Sequence, residues 1–168
     1  MAPETITDWK NYLREVCAVF SIENPAIIGG PGLSVEIDES SFSKRKYDRG
    51  RVLPNQWVFG GICRETKECF AYAVSDRTKN TLLTYLDGYD FENYKVKHSE
   101  NFVDPKTGAH TQNIENLWKK AKIRNKSEHG TARHMLDSYL CEFMWRHRNK
   151  DENLFEKILQ NISELDIV

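Results

Sequence analysis

The stretch Ser34–Phe42, SVEIDESSF, decides how the chain is read. It alternates as a β-strand does: Val35 and Ile37 point to one face, Glu36 and Asp38 to the other. Strands seldom crowd carboxylates in this way, yet Glu36, Asp38 and Glu39 fall within four positions. The nine residues that follow Phe42, SKRKYDRGR, are densely basic. A carboxylate at the end of a core strand, guarded by positive charge, poses a chemical question that the rest of the sequence has to answer.

Working outward, three strands are expected in succession, at 34–40, 56–65 (QWVFGGICRE) and 69–76 (CFAYAVSD). The turn-like RETKE between the last two predicts an antiparallel hairpin. Upstream, 5–20 carries Trp9, Tyr12, Leu13, Val16, Val19 and Phe20 at three- and four-residue steps, the pattern of an amphipathic helix, with Asp8 as its cap. The breaker-rich ENPAIIGGPG at 23–32 is a linker. Downstream, helices are expected at 77–86, 111–126, 131–148 and 151–165, and one short strand near Tyr94–His98 within a polar, broken segment. This order implies an α/β fold with a mixed sheet covered by helices. The chain divides into an N-terminal helix and linker (1–28), a central domain (29–150) and a C-terminal helix (151–168).

The 168 residues are enough for one domain with a real core. With 39% hydrophobic and 29% charged residues and a net charge of −1, bulk composition points to no particular partner. The distribution says more, because Lys and Arg cluster at 44–51 and 119–126, and a neutral chain can still carry a basic face. Cys17, Cys63, Cys69 and Cys141 form no CxxC pair and no zinc pattern, so reduced, buried thiols are expected. Neither a signal peptide nor an apolar run of the roughly 18 residues that a membrane span needs is visible.

One carboxylate on a strand and another on a later helix is a familiar way to hold divalent metal. Asp38 is the strand candidate and Glu115, in HTQNIENLW, the helix candidate, projecting away from Ile114 and Trp118. On residue physics alone each acid more often belongs to a solvated surface. Basic runs are likewise usually solvated loops. Trp57, Phe59, Trp118 and Trp145 are most simply core residues.

A resemblance sharpens this. IGGPGLSVEIDESSFSKRKYDRGR, QWVFGGICRETKECF, VSDRTKNTLL, HSENFVDPKTGAHTQNIENLW and LDSYLCEFMWRHR are similar to consecutive blocks of the Merlin-type DDE DNA transposases and their bacterial insertion-sequence relatives. The similarity runs from about residue 8 to about residue 148. It implies an RNase H-like, integrase-type catalytic domain over 29–150 that cleaves and transfers DNA strands in transposition. Asp38 and Glu115 would be catalytic metal ligands for Mg²⁺ or Mn²⁺, and DNA, both transposon ends and target, the partner. Lys44, Arg45, Lys46, Arg49, Arg51, His98, His110, Lys119 and Lys120 would contact nucleic acid. A homo-oligomer stays open. The compartment would be the nucleus in a eukaryote and the cytoplasm otherwise.

The sequence departs from that family in the middle. The second aspartate, which the family carries on another core strand in a motif like Ser-Asp-x-Trp-x-x-Tyr, has no counterpart; the chain passes from TLLTYL directly into DGYDFENYKVKHSENF. One core strand is therefore expected to be missing, and Asp76 or Asp87 would have to substitute. Three readings follow: an active transposase, a non-enzymatic DNA- or partner-binding protein derived from one, or an inert remnant.

Overall fold

The computed structural model describes residues 2–42, 55–86, 110–127 and 132–165. The basic residues Lys44, Arg45, Lys46, Arg49 and Arg51, the acids Asp87 and Asp90, His98 and the expected short strand at 94–98 lie outside the described residues.

The sheet is built from β1 (Val35–Ser41), β2 (Trp57–Cys63) and β3 (Cys69–Val74), in the order β1-β2-β3. Both pairings are antiparallel, with Asp38 opposite Gly60, and Gly60 opposite Ala71. The β2–β3 hairpin is the one expected: Cys63 N–H donates to the Glu68 carbonyl at 2.9 Å, and Lys67 takes a positive φ of 63° in the turn. The expected mixed sheet is not found among the described residues. A parallel strand needs a crossover connection, and the chain that would supply one after β3 runs through 87–109.

Strand alternation divides the core in two. Val58, Ile62, Cys69 and Ala71 face helix α3 (Gln112–Ser127) and helix α4 (Leu136–Arg148), where they pack with Ile114, Leu117, Trp118, Leu136 and Leu140. Phe59, Cys63, Phe70 and Val74 face the other way, toward Ile28 of the linker and Leu82 of the short helix α2 (Lys79–Thr84). Cys63 and Cys69 thus lie on opposite faces of the sheet, and all four cysteines are free thiols, three of them buried. Burial pushes the thiols of Cys17 and Cys69 up to about 12, so neither is a nucleophile at neutral pH.

A third cluster joins helix α1 (Pro3–Glu23) to α4 and helix α5 (Leu154–Glu164) through Val16, Cys17, Trp145 and Ile158. Helix α1 starts earlier than periodicity suggested. Pro3 sits in its first turn, where a missing N–H costs nothing, so Asp8 lies inside the helix and does not cap it. Similarly, 133–135 form a separate 3₁₀ turn ahead of α4. Arg148, at the end of α4, pins three elements together: its guanidinium donates twice to Glu68 Oε2, at 3.0 and 3.1 Å, and once to the Asn24 carbonyl at 2.6 Å. Among the described residues no helix is long and apolar enough to cross a membrane.

Gly60 is where helix and sheet come closest. A Cβ at this position would lie 2.6 Å from Trp118 Cη2 and 2.7 Å from the Phe70 carbonyl oxygen. One obstacle is backbone and the other a buried ring, so neither can give cheaply. Gly60→Ala should destabilise the fold by about 1–3 kcal/mol in denaturant unfolding; a neutral substitution would show that the indole does not rest on β2.

Candidate functional site

The seam between β1 and α3 holds the residues that the sequence singles out. Glu36, Asp38 and Ser40 alternate onto the face of β1 that meets the helix. Two strand residues advance about 6.7 Å and four helix residues about 6 Å, so alternate positions on β1 keep step with successive turns of α3. Glu36 meets Asn113 and Ile114, Asp38 meets Trp118, and Ser40 meets Lys122. The contacts are polar throughout: Trp118 Nε1 donates to Asp38 Oδ2 at 3.1 Å, and Lys122 Nζ to Ser40 Oγ at 2.6 Å.

Glu36 is the most enclosed of these, at 4% exposure. Its Oε2 accepts the backbone N–H groups of Asn113 (2.8 Å) and Ile114 (3.0 Å), two first-turn donors for which a helix has no internal acceptor. Its Oε1 accepts Asn113 Nδ2 and Arg64 Nε, both at 2.7 Å. A carboxylate from a distant strand therefore does the work of an N-cap, with the charge placed where the helix dipole favours it. Burial alone would raise the Glu36 pKa. The Asn113 side chain, the Ile114 N–H and Arg64 outweigh it, and the carboxyl is held below its ordinary 4.5.

Around this centre, Arg64 also donates to the His110 carbonyl at 2.7 Å. His110 Nδ1 lies 3.2 Å from Glu36 Oε1 and is buried without a hydrogen-bond partner. His110 thus belongs to the Glu36 cluster. Lys119 and Lys120 are exposed on α3.

The two expected metal ligands lie on the two elements that form the seam, Asp38 on β1 and Glu115 on α3. Asp38 is half-buried against the Trp118 indole. Glu115 is exposed in the first turns of α3, where its Oε1 accepts the Thr111 hydroxyl at 3.2 Å. It stands one residue after the buried Ile114, about 100° around the helix from it, and is exposed. The described residues contain no group of three His, Cys, Asp or Glu side chains arranged to hold a metal ion. Asp76, one of two suggested substitutes for the third ligand, follows the end of β3, two strand spacings or about 10 Å from β1. Its Oδ1 accepts the Thr78 N–H at 2.8 Å, which with the Thr78 and Thr81 side chains keeps its pKa low. That carboxylate shapes the turn into α2.

Sequence reasoning placed Glu36 on the right face but gave it no role, and it overlooked Arg64. One signal was available. Thr111 precedes the helix, but a capping box would need Glu or Gln at 114, and Ile114 stands there. A buried helix start without its own acid must find one elsewhere. Comparison of the chain with protein-family models, curated proteins and solved structures gives no match to any of them.

Glu36→Gln should cost about 1.5–3 kcal/mol, the range for hydrogen bonds to a charged group. Because the folded-state pKa of Glu36 is depressed, its contribution is complete above the unfolded value and is lost as pH falls through the folded one. Urea unfolding from pH 7 down to pH 3 should show the native chain losing stability below about 4.5, with the gap to Glu36→Gln narrowing over that range. A gap that stays constant with pH would mean that Glu36 is not ionised in the fold.

Proposed function

We propose that this chain is a catalytic-core scaffold derived from a DDE-type DNA transposase, and that it binds DNA without cutting it. The observation that carries the reading is the β1–α3 seam. Asp38 sits mid-strand, the helix that bears Glu115 runs alongside it, and a three-stranded antiparallel meander precedes that helix. On this reading the meander and helix would be the opening half of an RNase H-like core, in the motif order EIDES, then TQNIENLW. On this reading the protein acts in the nucleus of a eukaryote or in the cytoplasm of a bacterium.

The same seam argues against catalysis by the chain as it stands. Two-metal phosphoryl transfer places two ions about 4 Å apart and needs several oxygen ligands drawn from separate elements. Asp38 and Glu115 are two such ligands, and Asp38 Oδ2 already accepts the Trp118 indole N–H. Asp76 Oδ1 is engaged with the Thr78 N–H in the turn into α2. The described residues therefore do not complete a site for Mg²⁺ or Mn²⁺.

DNA affinity would come from the cations that follow β1 in sequence and from those of α3. Lys44, Arg45 and Lys46 follow β1 directly in sequence, and Lys119 and Lys120 are exposed on α3. Each phosphate that a cation neutralises releases counterions, so affinity for duplex DNA should fall steeply with salt. Replacing Lys44, Arg45 and Lys46 with Ala should flatten the log–log slope by up to about three contacts. An unchanged slope in an electrophoretic or anisotropy titration would reduce the run to a solvated loop.

The matching expectation for chemistry is that labelled DNA incubated with the chain in Mg²⁺ or Mn²⁺ stays intact, and that Asp38→Asn and Glu115→Gln leave this unchanged. Metal-dependent cleavage that both substitutions abolish would overturn the reading and mean that another acid, Asp76 or Asp87, supplies the third ligand.

A further inference from the structure

Arg14 is a buried cation that the fold does not neutralise. It is 5% exposed, on the α1 face that packs against α4. Its Nη2 donates to Asn11 Oδ1, while Nε is buried with no hydrogen-bond partner. No acidic side chain pairs with it among the described residues. The guanidinium stacks on the Tyr139 ring, 4.5 Å from its centroid, and Arg124 stacks on the same ring at 4.4 Å. Two guanidiniums, always charged, are thus gathered at one phenol ring. The nearby carboxylate, Glu142, is already used: Oε1 accepts Arg146 Nε at 2.9 Å and Oε2 accepts Arg124. An isolated buried charge is expensive, and natural proteins rarely keep one without a counter-ion.

Arg14 lines a cleft of about 350 Å³ between α1, α4 and α5. Lys10, Arg124 and Arg146 also border it, and Glu142 is its single acid. The remainder is apolar, formed by Leu13, Leu154, Phe155 and Ile158 together with Trp145 and Cys17. A volume within the ligand-site range, mostly apolar walls and a few convergent cations are the usual features of a small-molecule site.

We propose that this cleft binds a small organic anion, a carboxylate or phosphate head held by Arg14 and Lys10 with an apolar body against Leu154, Phe155 and Ile158. The head supplies the charge that Arg14 lacks. The body covers Phe155, which is 70% exposed. The site lies on the helical side of the molecule and does not depend on the DNA reading of the β1–α3 seam.

Calorimetric titration of the full chain tests it, with octanoate and phenyl phosphate as probes and octanol and inorganic phosphate as comparisons. Octanoate and phenyl phosphate should each bind saturably at one site. Octanol and inorganic phosphate should bind at least tenfold more weakly, since each lacks one half of the ligand. Lys10→Gln, on an exposed side chain, and Arg14→Gln should each weaken octanoate by about tenfold, the loss of one charge-assisted contact. If Arg14→Gln does not fold, Lys10→Gln carries the test of the head and Phe155→Ser that of the body. Octanol binding as tightly as octanoate, inorganic phosphate matching phenyl phosphate, no saturable binding, or binding indifferent to Lys10→Gln would each overturn the proposal. Binding shown only by a DNA duplex would overturn it as well.

Discussion

The carboxylate of Glu36 closes the start of α3 from a strand 77 positions away in sequence, and the geometry of the molecule depends on that bond. Helix starts carry donors that must be satisfied, and most proteins satisfy them locally. Here the first turn of α3 is anchored to β1 itself. That choice fixes where the helix begins, how far it is rotated and which of its side chains face the sheet. Once Asn113 and Ile114 are set against Glu36, the near-equal advance of two strand residues and four helix residues carries Trp118 to Asp38 and Lys122 to Ser40. The indole then lies on the only residue type that leaves room for it, Gly60.

A polar seam between β1 and α3 has a consequence for function. An apolar β1 would dock α3 equally well, and buried ionic networks are not by themselves stabilising. Keeping carboxylates at both 36 and 38 gives the strand two separate tasks. Glu36 is consumed by structure: both oxygens are taken, and Arg64 neutralises it. Asp38 accepts the Trp118 indole N–H midway along the seam, and Glu115 is exposed near the start of α3. The ligand that would make these two acids a catalytic metal centre is not found among the described residues. The proposed DNA binding rests instead on the cations that follow β1 in sequence and on those exposed on α3.

Much of this framework was legible before any coordinates. The three strands, the hairpin and the helices were readable because SVEIDESSF alternates with period 2, QWVFGGIC is a short apolar run ending at a turn, and NIENLWKKA repeats with period 3.6, and Phe59, Trp118 and Trp145 are in the core as expected. Trp57 is only half-buried, its ring covered by Arg77 at 4.7 Å. Helix ends were read less well, since a Pro in the first turn or a 3₁₀ lead-in leaves no periodic trace. The role of Glu36 was hidden because a cap supplied from another element has no local motif. Arg14 was hidden for a related reason: an Arg within a helix pattern reads as surface until its neighbours are known.

The claim on which the rest depends is that Glu36 holds the first turn of α3, and amide hydrogen exchange reads it directly. First-turn amides normally exchange fast, because they have no intrahelical acceptor. The structure predicts that Asn113 and Ile114 N–H are protected to a level near that of the Trp118 amide. In Glu36→Ala that protection should vanish at 113 and 114 while the β2 amides of Val58 and Ile62 stay slow. Rapid exchange at Asn113 and Ile114 in the native chain, or protection that survives Glu36→Ala, would contradict the account.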